Sequence, residues 1–210
     1  MPQSADTQNR LREICRAAAR VFYEKGYAGA SMQDIAEAVG LTKAGLYHHI
    51  GSKEQLLFEI MNHGMDILQE AVLDRVAPIR DPHEKLRQTI AGHIHLIVRA
   101  RDRETTVILH ENRSLPDPLR EKINARKKEY IRFLENLIAR VQQESGREQL
   151  VPPNLAAFVL LGMINWLYQW YRVEGPIPEE QIAEAYSDFF FRGLLGLEEE
   201  RHADSPARSL

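Results

Sequence analysis

The chain carries one cysteine, Cys15, among 210 residues. A lone thiol excludes an internal disulfide and a thiolate metal cluster, and it is consistent with a reducing cytoplasm. Cys15 lies beside the apolar stripe of the first predicted helix, where it reads as a small packed residue. No metal-ligand face is expected either: His93 and His95 are two apart and His48 and His49 are adjacent, so each pair diverges on a helix. The G-x-S-x-G elbow, the phosphate loop and the dinucleotide fingerprint are all missing, so neither an enzyme nor a resident cofactor is expected. The opening residues MPQSADTQNR have no apolar core, which argues against a secretory signal. The uncharged stretch from Gln149 to Tyr171 is long enough to span a bilayer of roughly 30 Å. Pro152 and Pro153 start its helix late, however, and Asn165, Tyr168, Gln169 and Tyr171 make its second half amphipathic. Burial in a protein bundle, not a membrane, is expected.

What is present is a helical pattern. Hydrophobic residues make up 44% of the chain and charged residues 27%, a balance typical of a soluble globular protein. Apolar residues recur at helical spacing with no strand pattern, repeat or low-complexity segment, which predicts an all-α fold of about nine helices. Pro78, Pro82, Pro116, Pro118, Pro152 and Pro153 punctuate them. Beyond residue 53 the pattern predicts helices from Lys53 to about Val76, from His83 to Arg99, around Glu104 to Asn112, from Asp117 to Ser145, within 149–171, and from about Glu179 to Leu197. The chain divides into a head, 1–53, a body, 54–197, and a tail, 198–210, expected to be disordered. Seven Lys/Arg against five Asp/Glu give the head a charge of +2, which leaves −5 on the rest of a chain whose net charge is −3. That asymmetry fits a head facing nucleic acid, while the overall balance argues against non-specific coating of polyanions.

The most informative stretch is SMQDIAEAVGLTKAGLYHHIGSK, Ser31 to Lys53. Ser31 is a good N-cap, and Ile35, Ala36 and Val39 follow at helical spacing until Gly40 breaks the pattern. Gly40 can adopt the positive φ of a sharp turn, Thr42 can cap the next helix, and Ala44 to His49 form that second short helix. This is helix-turn-helix spacing, in which the second helix enters the major groove. Leu46 and Ile50 are predicted to face inward, and Lys43, Ala44, Tyr47 and His48 outward. Lys43, Lys53 and the Tyr47 hydroxyl suit phosphates, and Ala44 suits a thymine methyl. Glycine inside a helix costs about 1 kcal/mol relative to alanine, and close approach of a DNA backbone would account for Gly45. Ahead of this unit, Asn9 to Lys25 is predicted as a helix with Leu11, Ile14, Ala18, Val21 and Phe22 on one stripe, closed by Gly26. A plain helical hairpin with two solvated lysines is the competing account of the same spacing.

Ile14, Ala17, Ala18, Phe22, Gly26 and Tyr27, followed by Ile35, Ala36, Gly40, Tyr47, Lys53 and Leu56, resemble the N-terminal domain of the TetR/AcrR family of transcriptional repressors. The resemblance implies an all-helical homodimer with a DNA-binding head and a larger ligand-binding body. Ser31, Thr42, Lys43, Ala44, Gly45, Tyr47, His48 and Lys53 are then the implied contacts to a palindromic double-stranded operator. Ile50 departs from the family pattern, which more often has an aromatic residue there, and implies altered packing beneath the recognition helix. The last two helices, with Ile182, Ala185, Tyr186, Phe189, Phe190, Leu194 and Leu197 on a broad apolar face, are implied to pair with their symmetry mates as a four-helix interface.

In the body, NWLYQWYR from Asn165 to Arg172 concentrates both tryptophans. Trp166 and Trp170 either line a pocket for a mostly apolar guest or pack a dimer interface. Together with HENRSLP, His110 to Pro116, this run resembles the subgroup of the family that senses acyl-CoA thioesters in fatty-acid or steroid-ring catabolism. Such an effector needs an apolar tunnel and cations for its phosphates. Arg113 and Arg172 are the favoured cations among a set that includes Arg99, Arg101, Arg103, Arg126, Lys127, Lys128 and Arg132. His93 and His110 are candidate pocket residues. The expected function is therefore an operator-binding dimeric repressor released by an acyl-CoA. A repressor of efflux genes relieved by aromatic or cationic drugs, served by acidic groups such as Glu111, is the alternative.

Overall fold

The computed structural model describes residues 5–99, 107, 111–147 and 151–196, with side chains from residue 9 onward. Among them all regular structure is helical and no strand occurs. Helix α1, Ala5–Gly29, breaks locally at Gly26, where φ of 70° leaves the helical region, and then completes one more turn. Helix α2, Met32–Ala38, opens with a reciprocal capping box, in which the Ser31 hydroxyl accepts from the Asp34 amide while the Asp34 carboxylate accepts from the Ser31 amide. Gly40, at φ of 66°, makes the turn. Helix α3, Lys43–His49, is capped by Thr42, and α4, Lys53–Leu68, by Ser52. Helix α4 then runs on through a π turn, Gln69–Leu73, and a last stretch, Asp74–Val76. So the segment predicted as one helix from Lys53 to about Val76 is continuous but locally widened.

The body adds α5, Pro82–Arg99, the long α6, Asp117–Glu144, α7, Pro153–Asn165, and α8, Glu179–Leu195. Beyond Asn165 the predicted 149–171 helix reduces to a short turn, Leu167–Trp170. The helix expected around Glu104 to Asn112 lies largely outside the described residues, and Glu111–Ser114 forms a 3₁₀ turn. The 198–210 tail also lies outside them. No helix among the described residues is long and apolar enough to cross a membrane.

Two hydrophobic clusters organise the chain. The first gathers Ile14, Phe22, Ile35, Leu46, Ile50 and, from α4, Leu56, Leu57, Ile60 and Met61. It also recruits Val107, Leu115 and Ile123, so the base of the head is closed by the start of α6. The second begins on α4 at Met65 and Leu68 and takes in α5, the rest of α6 from Tyr130, α7 and α8. Each fully buried Leu, Ile or Phe contributes roughly 1.5–3 kcal/mol relative to exposure. Ile50 is buried in the first cluster beneath α3, so an aliphatic residue fills that place.

Candidate nucleic-acid interface and effector cavity

Thr42, Lys43, Ala44, Tyr47 and His48 are exposed, while Leu46 is fully buried, so α3 presents one polar face outward from a packed stripe. The Thr42 hydroxyl accepts from the Gly45 amide at 3.0 Å, which fixes the first turn of this helix of 7 residues. A Cβ on Gly45 would lie 3.2 Å from that same hydroxyl oxygen. The glycine therefore has an internal reason in addition to any approach of a DNA backbone. Ser31, also exposed, is engaged in its capping box, and Lys25 bonds Asp34 at 2.6 Å. The Lys25 bond and the Ser31 bonds hold the Asp34 carboxyl well below the usual carboxylate range.

Lys53 stands apart from the other candidate DNA contacts. It is half-buried, its ammonium donates to the Tyr27 carbonyl, and it lies 4.3 Å from the centre of the Tyr27 ring. Lys53 thus fastens the start of α4 to the end of α1. Burial pushes the Tyr27 hydroxyl up to about 12, with Glu54 and Glu111 adding to the shift.

A cavity of about 380 Å³ opens between α4, α5, α6 and α7. Its walls are apolar, with Met65 and Leu68 from α4, Leu96 and Ile97 from α5, and Phe158 and Leu161 from α7. Four polar or charged side chains line it: His93, Lys127, Tyr130 and Asn165. The Tyr130 hydroxyl and His93 Nδ1 are 3.0 Å apart. Burial pushes the His93 imidazole down to about 4, against a hydrogen bond with the Asn165 side chain that acts in the opposite sense. Burial likewise raises Tyr130 and lowers Lys127. The imidazole is therefore neutral at ordinary pH, and no carboxylate appears among the described lining residues.

Of the six residues expected to bind ligand, His93 alone lines this cavity. Trp166 and Trp170 are 61% and 44% exposed and stand outside its lining. Arg113, on the 3₁₀ turn, and Arg172, after α7, are also exposed and outside it, and His110 lies outside the described residues. Among the other cations considered, Arg99 pairs with Glu179 at 2.9 Å and Arg126 with Asp66 at 2.7 Å, while Arg101 and Arg103 are not described. The pocket residues missed at the sequence level are Tyr130 and, as a cavity partner of His93, Asn165. A polar side chain interrupting the apolar α7 was the one signal pointing to Asn165.

Helix α4 has a second neighbour on its opposite face. A polar groove between α1 and α4 is lined by Arg12, Arg16, Glu59, His63, Asp66 and Glu70. Burial, reinforced by Arg12, lowers the His63 pKa. One helix therefore separates an apolar cavity from a charged groove.

These features agree with what the chain is similar to. The family model described as "Bacterial regulatory proteins, tetR family" matches residues 14–60, and "Tetracyclin repressor-like, C-terminal domain" matches 80–194. The crystal structure of AibR in complex with isovaleryl coenzyme A and operator DNA is 46% identical, with a TM-score of 0.80 over 86% of this chain and 97% of that one. The TetR family regulator PfmR from Thermus thermophilus is 36% identical, with a TM-score of 0.75 over 86% of this chain and 98% of its own. The transcriptional repressor KstR2 of Mycolicibacterium smegmatis is 26% identical over 203 residues, 93% of this chain and 95% of its own length. The family models and these relatives are transcriptional regulators, not enzymes. The chain belongs to the TetR family of transcriptional regulators.

Proposed function

We propose that this protein is a homodimeric repressor that binds a palindromic operator through α3 and is released when a fatty acyl-CoA or related CoA thioester enters the body cavity. It controls lipid or related catabolic genes. Thr42, Lys43, Ala44, Gly45, Tyr47 and His48 meet the DNA, flanked by Ser31 at the start of α2 and Lys53 at the start of α4. The observation that carries the release mechanism is that α4 begins at Lys53, directly after α3 in the chain, and ends in the wall of the cavity at Met65 and Leu68. A guest that favours a displaced α4 lowers operator affinity by its difference in affinity for the two head positions. A tenfold loss needs only about 1.4 kcal/mol of such coupling.

The acyl-CoA class is supported by the apolar walls with one lining cation, Lys127, and by the isovaleryl coenzyme A held by AibR. The described lining holds no carboxylate to pair with a cationic drug, which sets the efflux alternative behind it. Dimerisation is supported by the apolar side chains that α7, the turn after it and α8 leave in water outside the cavity: Leu155, Val159, Trp166, Trp170 and Phe189. Such a surface suits a symmetric helical interface, and it favours the dimer over the pocket as the place of the two tryptophans.

The test is fluorescence anisotropy of the purified protein on the DNA upstream of its own gene, with acyl-CoAs, the corresponding free acids and cationic dyes. Release by acyl-CoA alone is expected. Release by dyes alone overturns the effector class, and failure to bind DNA at low salt overturns the proposal as a whole.

A further inference from the structure

The cavity is apolar except for a connected set of hydrogen-bonding groups, and the connection restricts what that set can offer a guest. His93 on α5, Tyr130 on α6 and Asn165 on α7 come from three helices and meet at one place in the lining. Tyr130 and His93 are buried, at 5% and 8% exposure, with the hydroxyl 3.0 Å from Nδ1, and Asn165 shares their place in the lining, within reach of the other ring nitrogen. A neutral imidazole has one donor and one acceptor nitrogen, so only two arrangements exist. If Tyr130 donates to Nδ1, the ring donates through Nε2 to the Asn165 oxygen, and the Asn165 amide N–H groups remain for a guest. If the ring donates from Nδ1 to the Tyr130 oxygen, the Asn165 amide donates one N–H to Nε2, and its second N–H and the Tyr130 O–H remain. Either tautomer leaves at least one neutral donor at the cavity wall and no charged one within the set.

A neutral donor in an apolar enclosure meets an uncharged carbonyl oxygen without desolvating a charge, whereas a carboxylate must turn to Lys127, the cation of the described lining, whose charged form burial disfavours. A volume of about 380 Å³ also lies at the small end of ligand cavities, which span roughly 300–1,000 Å³. We infer that Tyr130, His93 and Asn165 form the specificity element of the cavity, reading the thioester carbonyl of a short acyl group and so separating the thioester from its free acid. This rests on the effector class proposed above and deepens it: Tyr130 and Asn165 make the contact, and His93 is a positioning residue that fixes their orientation.

The test compares isovaleryl-CoA with S-isopentyl-CoA, the thioether that lacks only the carbonyl oxygen, by titration calorimetry on the full-length protein. The thioester is expected to bind about tenfold or more tightly than the thioether, the scale of one hydrogen bond in a buried site. Asn165→Leu and, independently, Tyr130→Phe are expected to shrink that ratio to within about threefold while thioether affinity holds. Circular dichroism confirms folding of each, so the two variants stand in for one another should one fail to fold. Equal affinity of the wild type for both ligands overturns the carbonyl assignment and leaves the effector class intact. An unchanged ratio in both variants overturns the assignment to these residues. If the wild type binds neither ligand, this inference fails, and the effector class is then decided by release from DNA with the full panel of acyl-CoAs. Palmitoyl-CoA and isovalerate should each bind at least tenfold more weakly than isovaleryl-CoA, and equal binding of either overturns the corresponding part of the claim.

Discussion

The two hydrophobic cores of this chain are built on opposite rules. The four buried polar side chains, Thr89, His93, Gln142 and Ser187, all fall outside the head, in the helices of the body. The described head core is apolar throughout, and its polarity is spent at helix starts, where Ser31, Thr42 and Ser52 each accept from a first-turn amide. In the body, α6, α7 and α8 begin instead after Pro116, Pro152 and Pro178 with no side-chain cap. Helices of 7 residues, such as α2 and α3, are unstable by propensity alone, so caps and a dry core must fix them. Long helices tolerate uncapped starts, and a core with polar groups can host a guest. Under the proposed function, the head holds one geometry and the body responds to a ligand.

The largest test of that contrast is a lesion in each core. Phe22→Ala should cost about 3–5 kcal/mol and Leu160→Ala about 2–5 kcal/mol, read as the urea midpoint. Because α4 and α6 run through both clusters, each variant should shift one shared unfolding transition. A separate early step in either would show that the cores fold independently. Operator binding should suffer first in Phe22→Ala and effector binding first in Leu160→Ala.

Acid should separate the cores next. His93 has its folded pKa pushed below the unfolded value of 6.5 to about 4, so the unfolded chain binds more protons between those values. The stability it contributes is complete above pH 6.5 and is lost as pH falls toward 4, roughly 3 kcal/mol in all. In the head, the depressed Asp34 carboxyl keeps its bonds through that window and loses them only in stronger acid. Amide exchange at pH 4.5 should therefore show loosened α5 to α7 with α2 and α3 still protected, while the lowered His63 in the groove between α1 and α4 adds a loss of the same sign there. His93→Gln should abolish the difference, and equal loosening of both regions would refute it.

A smaller effect is expected at the seam. Head-core residues on α4 end at Met61 and body-core residues begin at Met65, while on α6 the same change falls between Ile123 and Tyr130. Arg126 sits in that interval and ties the two helices, reaching the Asn62 carbonyl at 2.9 Å and Asp66 at 2.7 Å. Since Met65 and Tyr130 line the cavity, a guest that parts α4 from α6 acts directly on this tie. Arg126→Met should leave effector affinity within about twofold yet cut effector-driven release by five- to tenfold, about 1–1.4 kcal/mol of coupling. Unchanged release would place the coupling elsewhere along α4.

How much of this was legible in the sequence follows the same division. The head declares itself locally: Ser31 with Asp34, Gly40, Thr42 and the Leu46/Ile50 spacing all lie within one short stretch, and each has the role its chemistry suggests. The cavity does not, because it exists only after four helices assemble, and His93 and Tyr130 meet from 37 residues apart. Tyr130 occupies an ordinary position on the apolar stripe of α6, so periodicity marks it as core and nothing more. As large aromatics the tryptophans of NWLYQWYR suit a pocket and an interface equally, and only the assembled fold turns Asn165 toward the cavity while Trp166 and Trp170 stay outside its lining. Arg113 and Arg172 were chosen for adjacency in sequence, which says little about adjacency in space.

The smallest effect concerns Gly45. Alanine there should recover about 1 kcal/mol of helix propensity, while a Cβ 3.2 Å from the Thr42 hydroxyl oxygen crowds the cap that starts the same helix. That oxygen is fixed by its bond to the Gly45 amide, so it yields only by weakening the cap, worth about 1 kcal/mol itself. The two terms nearly cancel, and the melting midpoint of Gly45→Ala should move by less than about 0.5 kcal/mol equivalent. Operator affinity then isolates the remaining role of the glycine. If a DNA backbone passes close to it, affinity falls about tenfold with stability unchanged, in parallel with Tyr47→Ala, whose exposed phenol is a proposed phosphate contact. If affinity in Gly45→Ala holds while Tyr47→Ala weakens it, the glycine serves only the cap, and the recognition helix meets DNA through its side chains without close backbone approach.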